Sequence, residues 1–201
     1  LTERGSAYRL NIAIFNMTQH TITGWPGGKP NADDSHRPER AHPFPKRILI
    51  LASEPMEDVH CMGGTLHRLA NQGHSVTVAY MTSGNLAVPD ADLVRSIELL
   101  KECGSQRGAE EALKHADSLH AQLTDRGAFG EDTAEIRRLK SLIRRGEARA
   151  SSRLLEVDTA QLRFLDLPFY EGGRYRRFLT RDTDVSTVLE LLEEIRPHQI
   201  F

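Results

Sequence analysis

Three carboxylates shortly after an apolar run are the residues best suited to do chemistry. Glu54, Glu57 and Asp58 follow the apolar residues 48–52. Glu54 and Glu57 are three positions apart, so both can turn toward one divalent cation, which Asp58 or His60 could also bind. A metal ion there would activate water for attack on an amide or ester carbonyl. The alternative, favoured by residue types alone, is a solvated loop whose carboxylates cap the next helix.

Two other patterns could bind anions, and each has a plainer alternative. Gly63-Gly64 and Gly73 could cradle a phosphate at a helix start, but their spacing fits neither the Gly-x-Gly-x-x-Gly nor the Walker pattern. Close approach of a helix to a sheet explains them better. A basic helix predicted over residues 136–155 could hold a sugar phosphate, although a solvated face is favoured for most of its cations. These cations are Arg137, Arg138, Lys140, Arg144, Arg145, Arg149 and Arg153.

The elements that would position these groups alternate between strand and helix. Strands are predicted over residues 48–52, 76–81, 162–167 and 198–201, and helices over 59–71, 89–103, 109–123, 136–155 and 185–195. We expect the helix over 136–155 to be interrupted or bent near Gly146. This alternation predicts an α/β fold with a mostly parallel sheet and right-handed crossovers. Chemistry in such folds sits at the carboxyl ends of strands, which again selects the loop 53–58.

Composition divides the chain into three parts. Residues 1–23 are predicted to be the tail of a preceding domain, with a short strand over 8–15 where apolar residues alternate loosely. Residues 24–45 hold five of the nine prolines, which predicts an interdomain linker. Residues 46–201 form the main domain, which we expect to be incomplete at its C-terminal end.

Charge and cysteine content narrow the choice of partner and compartment. The formal net charge is −2, which gives no reason to expect nucleic acid or an anionic membrane as partner. The longest clean apolar run, 48–52, is far too short to span a bilayer. Two cysteines, Cys61 and Cys103, are too few for a disulfide framework, so a reducing, cytoplasmic location is predicted.

Residues 47–84 resemble the PIG-L/LmbE family of zinc-dependent amino-sugar de-N-acetylases. That family carries an apolar strand, His-Pro-Asp-Asp, a Gly-Gly helix start, a later Gly-His, and a second strand ending in Thr-x-Gly. The second half of this pattern is present here as Met-Gly-Gly-Thr at 62–65, Gln-Gly-His at 72–74 and Thr-Ser-Gly at 82–84. The resemblance implies a Rossmann-like three-layer sandwich, truncated at the C-terminus, that hydrolyses the N-acetyl group of an amino sugar.

Other stretches resemble bacterial two-domain proteins that join a glucosamine-6-phosphate deaminase-like domain to a C-terminal PIG-L-like domain. The similar stretches are residues 22–34, 142–150, 167–171 and 195–200. The resemblance assigns residues 1–23 to the deaminase-like domain. It also implies an amino sugar or a sugar phosphate as the small-molecule partner, and it leaves homo-oligomerisation open.

The metal and base positions of the family carry other residues in this sequence. By resemblance, Glu54 replaces the first ligand His, Glu57 replaces the second ligand Asp, and Met56 stands at the position of the general base Asp. A thioether cannot accept a proton from metal-bound water. Replacing His by a carboxylate weakens the preference for zinc, so binding of zinc or another divalent metal is doubtful. Asp58 is the candidate stand-in base, and the family's third ligand, a His, lies in a segment after the fourth strand.

The resemblance further assigns Arg144 and Glu147 to substrate binding, because they match the family's Arg-x-x-Glu. The departures in the loop predict a de-N-acetylase domain that is inactive or severely impaired. The alternative is a non-catalytic module that contributes to assembly or regulation of an attached sugar-phosphate deaminase.

Overall fold

Four parallel strands form one sheet in the described part of the chain. The computed structural model describes residues 6–19, 45–107, 109–127, 130–167 and 179–201. The strands are β1 (Arg47–Ala52), β2 (Ser75–Tyr80), β3 (Leu162–Phe164) and β4 (Gln199–Ile200), in the order β3-β2-β1-β4. All three pairings are parallel, which confirms the predicted α/β class and its parallel sheet.

Six α-helices accompany the sheet within the described ranges. They are α1 (Ala7–Gln19), α2 (Glu57–Asn71), α3 (Asp90–Arg107), α4 (Glu110–Arg126), α5 (Ala134–Leu154) and α6 (Asp182–Ile195). Helices α2 to α6 confirm the five helices predicted from the apolar spacing. None of the described helices is long and apolar enough to cross a membrane.

Buried side chains on both faces of the sheet produce three layers. On one face, Ile48 and Ile50 of β1 lie in a core shared with α2 and α5. On the opposite face, Leu49 packs with Leu191 of α6. Successive side chains of a strand point to opposite faces, so a strand covered on both sides needs a continuous apolar run. This arrangement is that of a Rossmann-like sandwich, as predicted.

A partly buried ion network ties α3, α4 and α5 together. Arg126 at the end of α4 pairs with Asp90 and Asp132. The Nζ of Lys140 lies 2.8 Å from Asp90 Oδ1 and 2.9 Å from Asp132 Oδ2, and its side chain is only 6% exposed. Although burial alone would raise it, the pKa of Asp90 is held below its usual value by Lys140 and Arg126.

One expectation about secondary structure is wrong, and the interruption expected in α5 is absent. Residues 8–15 belong to α1 and not to a strand. Tyr8, Ile12 and Ile14 are exposed, so the sheet of the described residues does not bury the alternating face, and the segment forms a helix instead. Helix α5 also continues through Gly146 without interruption. The predicted linker 24–45 lies outside the described residues except for Pro45.

His74, the histidine of the Gln-Gly-His stretch, is buried at the amino end of the sheet. It follows Gly73, which lies in the turn after α2 and has a φ of 76°. The backbone N–H of Lys46 donates to its Nδ1 at 3.1 Å. This bond requires an unprotonated Nδ1. Burial, together with the positive charge of Lys46, accordingly lowers the pKa of His74.

This histidine should make folding stability depend on pH. The folded pKa lies below the unfolded value of about 6.5, so the unfolded chain binds the proton more tightly. The stabilising contribution is complete above about pH 6.5 and is lost as the pH falls through the folded pKa. We expect the urea midpoint to fall over that interval, measured by far-UV circular dichroism. His74→Asn keeps an acceptor for Lys46 without titrating, so an equal pH dependence in this variant would contradict the assignment.

Candidate functional site

The loops that follow β1 and β2 are joined at the carboxyl edge of the sheet. The backbone N–H of Thr82 donates to the carbonyl of Ser53 at 2.9 Å, and its hydroxyl donates to the same oxygen at 2.8 Å. Both Thr82 and Ser83 are buried. The predicted loop 53–58 is therefore anchored to the Thr-Ser-Gly turn rather than free in solvent.

Gly84 brings the acidic loop next to α5. Its φ is 69°, in the left-handed region that favours glycine. A Cβ at this position would lie 3.1 Å from Pro55 Cδ and 3.4 Å from both Glu54 Cβ and Arg144 Cγ. The absence of a side chain at Gly84 thus lets two predicted site residues, Glu54 and Arg144, approach each other.

Met56 has an unusual backbone conformation immediately before α2. It is the N-cap of that helix and has φ 84° and ψ −18°, which is left-handed. Its carbonyl accepts from the N–H groups of Val59 and His60 at 3.1 and 3.0 Å. A left-handed conformation costs an ordinary L-residue roughly 1–2 kcal/mol, and Asp and Asn tolerate it better. The backbone here thus suits an Asp or Asn better than the Met that occupies it.

Glu57, the second candidate ligand, makes a contact along its own helix. Its Oε2 accepts a hydrogen bond from the thiol of Cys61, with a sulfur–oxygen distance of 3.4 Å. This bond to Glu57 raises the pKa of the exposed Cys61 thiol. Cys61 and Cys103 are both free thiols.

Asp58 lies in the interface between α2 and the sheet. It is 4% exposed, and the hydroxyl of Tyr80 donates to its Oδ2 at 3.0 Å. Its Oδ1 has no hydrogen-bond partner among the described residues. Burial raises the pKa of Asp58, although the bond from Tyr80 opposes that rise. Burial also raises the pKa of Tyr80 far above its usual value.

Tyr80 is a functional residue that the sequence patterns do not predict as the partner of Asp58. Tyr80 is the last residue of β2 and is fully buried. Its ring stacks on Phe164 of β3 with centroids 5.1 Å apart. A tyrosine at the carboxyl end of a buried strand needs a partner for its hydroxyl. That requirement was the available signal.

The Arg-x-x-Glu pair of α5 forms an ion pair within one helical turn. Arg144 Nη1 lies 3.0 Å from Glu147 Oε2, with side-chain exposures of 17% and 42%. The Nε of Arg144 is buried and has no partner among the described residues. Arg144 is thus largely enclosed near Gly84, whereas Glu147 reaches solvent.

The donor set does not fit a zinc site. Among the described residues, no three His, Cys, Asp or Glu side chains are grouped so that they could hold a metal ion. Glu57 accepts a hydrogen bond from Cys61, and Asp58 accepts one from Tyr80. Structural and catalytic zinc sites need at least three protein ligands.

The chain is similar to known proteins along most of its length. The family model described as PIG-L: GlcNAc-PI de-N-acetylase matches residues 55–201. A protein of Bacteroides thetaiotaomicron, described as glucosamine-6-phosphate deaminase-like, is 49% identical over 201 residues. The match covers 98% of this chain but 30% of that relative, so the chain spans just under a third of the relative's length. No solved structure matches the chain.

Proposed function

Because this chain belongs to the PIG-L family of de-N-acetylases, we propose that it is an amino-sugar de-N-acetylase domain with an inactive or severely impaired hydrolytic centre. The observation that carries this proposal is Met56. It occupies the left-handed position before α2, where the resemblance places the general base of the family. A thioether there has no proton affinity at neutral pH, so water would not be activated.

The two candidate ligands support the same conclusion. Glu54 and Glu57 are both carboxylates, and Glu57 already accepts a hydrogen bond from the Cys61 thiol. A metal ion at Glu57 would have to compete with that bond. We propose weak divalent-metal binding at best, in contrast to the zinc dependence that the resemblance implies.

Asp58 remains the candidate stand-in base from sequence, but its surroundings work against that role. A general base must reach the proton that it abstracts, directly or through one water. The Asp58 carboxyl is enclosed between α2 and β2 and is bonded to Tyr80. We therefore propose that Asp58 stabilises the junction of helix and sheet and does not replace the lost base.

Metal content and amide hydrolysis test the proposal. The chain is loaded with zinc, desalted and analysed for metal, and acetate release is followed from N-acetylglucosamine and N-acetylglucosamine 6-phosphate. We expect far less than one zinc per chain and no acetate release above that of a chelator-treated sample. One zinc per chain, together with hydrolysis that the chelator abolishes, would overturn the proposal.

A second candidate function is a non-catalytic module attached to a sugar-phosphate deaminase. The observation that favours it is the relative described as deaminase-like, of which this chain covers only 30%. In that architecture, residues 46–201 would contribute assembly or regulation beside an N-terminal deaminase-like domain. Restoration of the family residues separates the two functions, because only a decayed enzyme would regain hydrolysis.

A further inference from the structure

A basic cleft of about 440 Å³ lies beside the acidic loop at the carboxyl edge of the sheet. This basic cleft is the space lined by Ser83 and Asn85 after β2 and by Arg137, Arg138, Ser141 and Arg145 of α5. The α5 residues lie on one face of the helix because they are spaced by about one or two turns. Two loops and one helix thus form a concave surface that presents several hydrogen-bond donors.

The charge of the basic cleft is positive. Among the described residues that line it, three are arginines and one, Asp166, is a carboxylate. Asp166 pairs with Arg145, which leaves an excess of two positive charges. Arg138 is exposed and has no carboxylate partner in the described part of the chain. A guanidinium group can donate two parallel hydrogen bonds to two oxygen atoms, which suits a phosphate group.

Arg145 is held in place in the basic cleft. Its guanidinium carbon lies 4.9 Å from the centroid of the Phe164 ring, and the same group pairs with Asp166. Phe164 in turn stacks on Tyr80. A side chain fixed by a ring and a carboxylate loses little further freedom when a ligand binds, which favours affinity.

The opposite wall of the basic cleft has an unused hydrogen-bond acceptor. Asn85 is 2% exposed, and its amide nitrogen donates to Ser83 Oγ at 2.7 Å. Its Oδ1 is buried without a partner among the described residues. A buried carbonyl oxygen without a donor carries a free-energy penalty that a ligand hydroxyl would remove. The wall therefore suits a hydroxyl-bearing ligand.

We infer that the basic cleft binds a small phosphorylated polyol, with the phosphate on the α5 arginines and a hydroxyl on Asn85. Only Gly84 separates Ser83 from Asn85, and a Cβ at Gly84 would lie within 3.4 Å of Glu54 and Pro55 atoms. The ligand therefore lies next to the loop that the proposed function describes. The inference rests on that function for the place of the site and for the sugar, but binding needs neither metal nor hydrolysis.

Titration calorimetry with three probes tests the inference on the 201-residue chain, with a chelator present and at constant ionic strength. The probes are glucosamine 6-phosphate, glucosamine and inorganic phosphate. We expect glucosamine 6-phosphate to bind at least about tenfold more tightly than glucosamine, because charge-assisted hydrogen bonds are the strong ones. Inorganic phosphate should bind more weakly than the sugar phosphate because it lacks the sugar hydroxyl that would reach Asn85 while the phosphate lies on α5.

Matched variants locate the site on α5. Arg138→Ala should weaken binding of glucosamine 6-phosphate about tenfold. Arg153→Ala removes the same charge from the same helix outside the basic cleft and should change affinity less than about twofold. Ser141→Glu places a carboxylate in the basic cleft and should abolish binding. All three positions are at or near the surface, so unchanged melting curves will show that the variants are folded.

Three results would overturn the inference. They are equal affinity for glucosamine and its phosphate, equal affinity for inorganic phosphate and the sugar phosphate, and equal losses in Arg138→Ala and Arg153→Ala. Because the chelator excludes metal chemistry, failure here leaves the proposed function standing. Acetate release from the wild-type chain would instead overturn the proposed function, and the binding result would remain valid.

Discussion

Lys140→Met should lower the free energy of unfolding by about 3–5 kcal/mol, because it removes one member of a buried ion network. The Lys140 side chain is 6% exposed and lies within 3 Å of both Asp90 and Asp132. Without it, two carboxylates share the single charge of Arg126. Asp132, whose side chain is 12% exposed, then has too little water to compensate. The measurement is urea unfolding at neutral pH.

Lys101→Met is the matched control for this prediction. Lys101 also pairs with an aspartate, Asp117, but the two side chains are 36% and 65% exposed. Exposed ion pairs contribute about 0–1 kcal/mol because water and salt screen them. Similar losses in the two variants would show that burial of the network does not determine its contribution.

Such a network is beyond prediction from one sequence. The apolar spacing of α3, α4 and α5 indicates which face of each helix is buried, but not which charged residues meet. Asp90 and Lys140 are 50 positions apart, and Asp90 and Arg126 are 36 apart. Their contacts depend on the lengths and directions of three helices, which periodicity does not specify. For the same reason the sequence indicates Lys140 only as one more cation of a solvated helix face.

The sheet, in contrast, could be predicted because the burial of a strand requires a recognisable pattern of apolar residues. A strand covered on both faces must be apolar at successive positions, as residues 48–52 are. The first strand prediction, over 8–15, failed because alternation of apolar residues implies a buried face only when a sheet covers it. Tyr8 is 74% exposed in α1, so the alternation there does not mark a face buried by the described sheet.

The acidic loop follows β1 as predicted, but it is shorter than predicted, because Glu57 and Asp58 already belong to α2. Its position after β1 follows from strand order. That Asp58 turns into the core depends on where α2 begins, and Glu57 is already its first residue. From that start, Asp58 faces Tyr80 rather than the loop. The left-handed conformation of Met56 could not be predicted either, because methionine has no preference for that conformation.

Restoring the family residues should create measurable hydrolysis. The variant Glu54→His/Met56→Asp/Glu57→Asp is made in a chain that continues past Phe201, through the segment where the family carries its third ligand. We expect acetate release from an N-acetylated amino sugar, in the presence of zinc, to rise by about 10²–10⁴-fold, the usual contribution of a general base. The left-handed position before α2 accepts Asp readily, so the fold should tolerate the change.

The matched control replaces Met56 by Asn together with the same two ligand changes. Asn has the shape of Asp and the same tolerance of a left-handed backbone, but it cannot accept the proton. If zinc binds equally to both variants and only the Asp variant releases acetate, the loss of the base alone silences the domain. If neither variant is active although zinc is bound, restoring the base and the two ligands is not enough for hydrolysis. The module function then explains the chain better, because a scaffold with its base and ligands in place would still fail to turn over substrate.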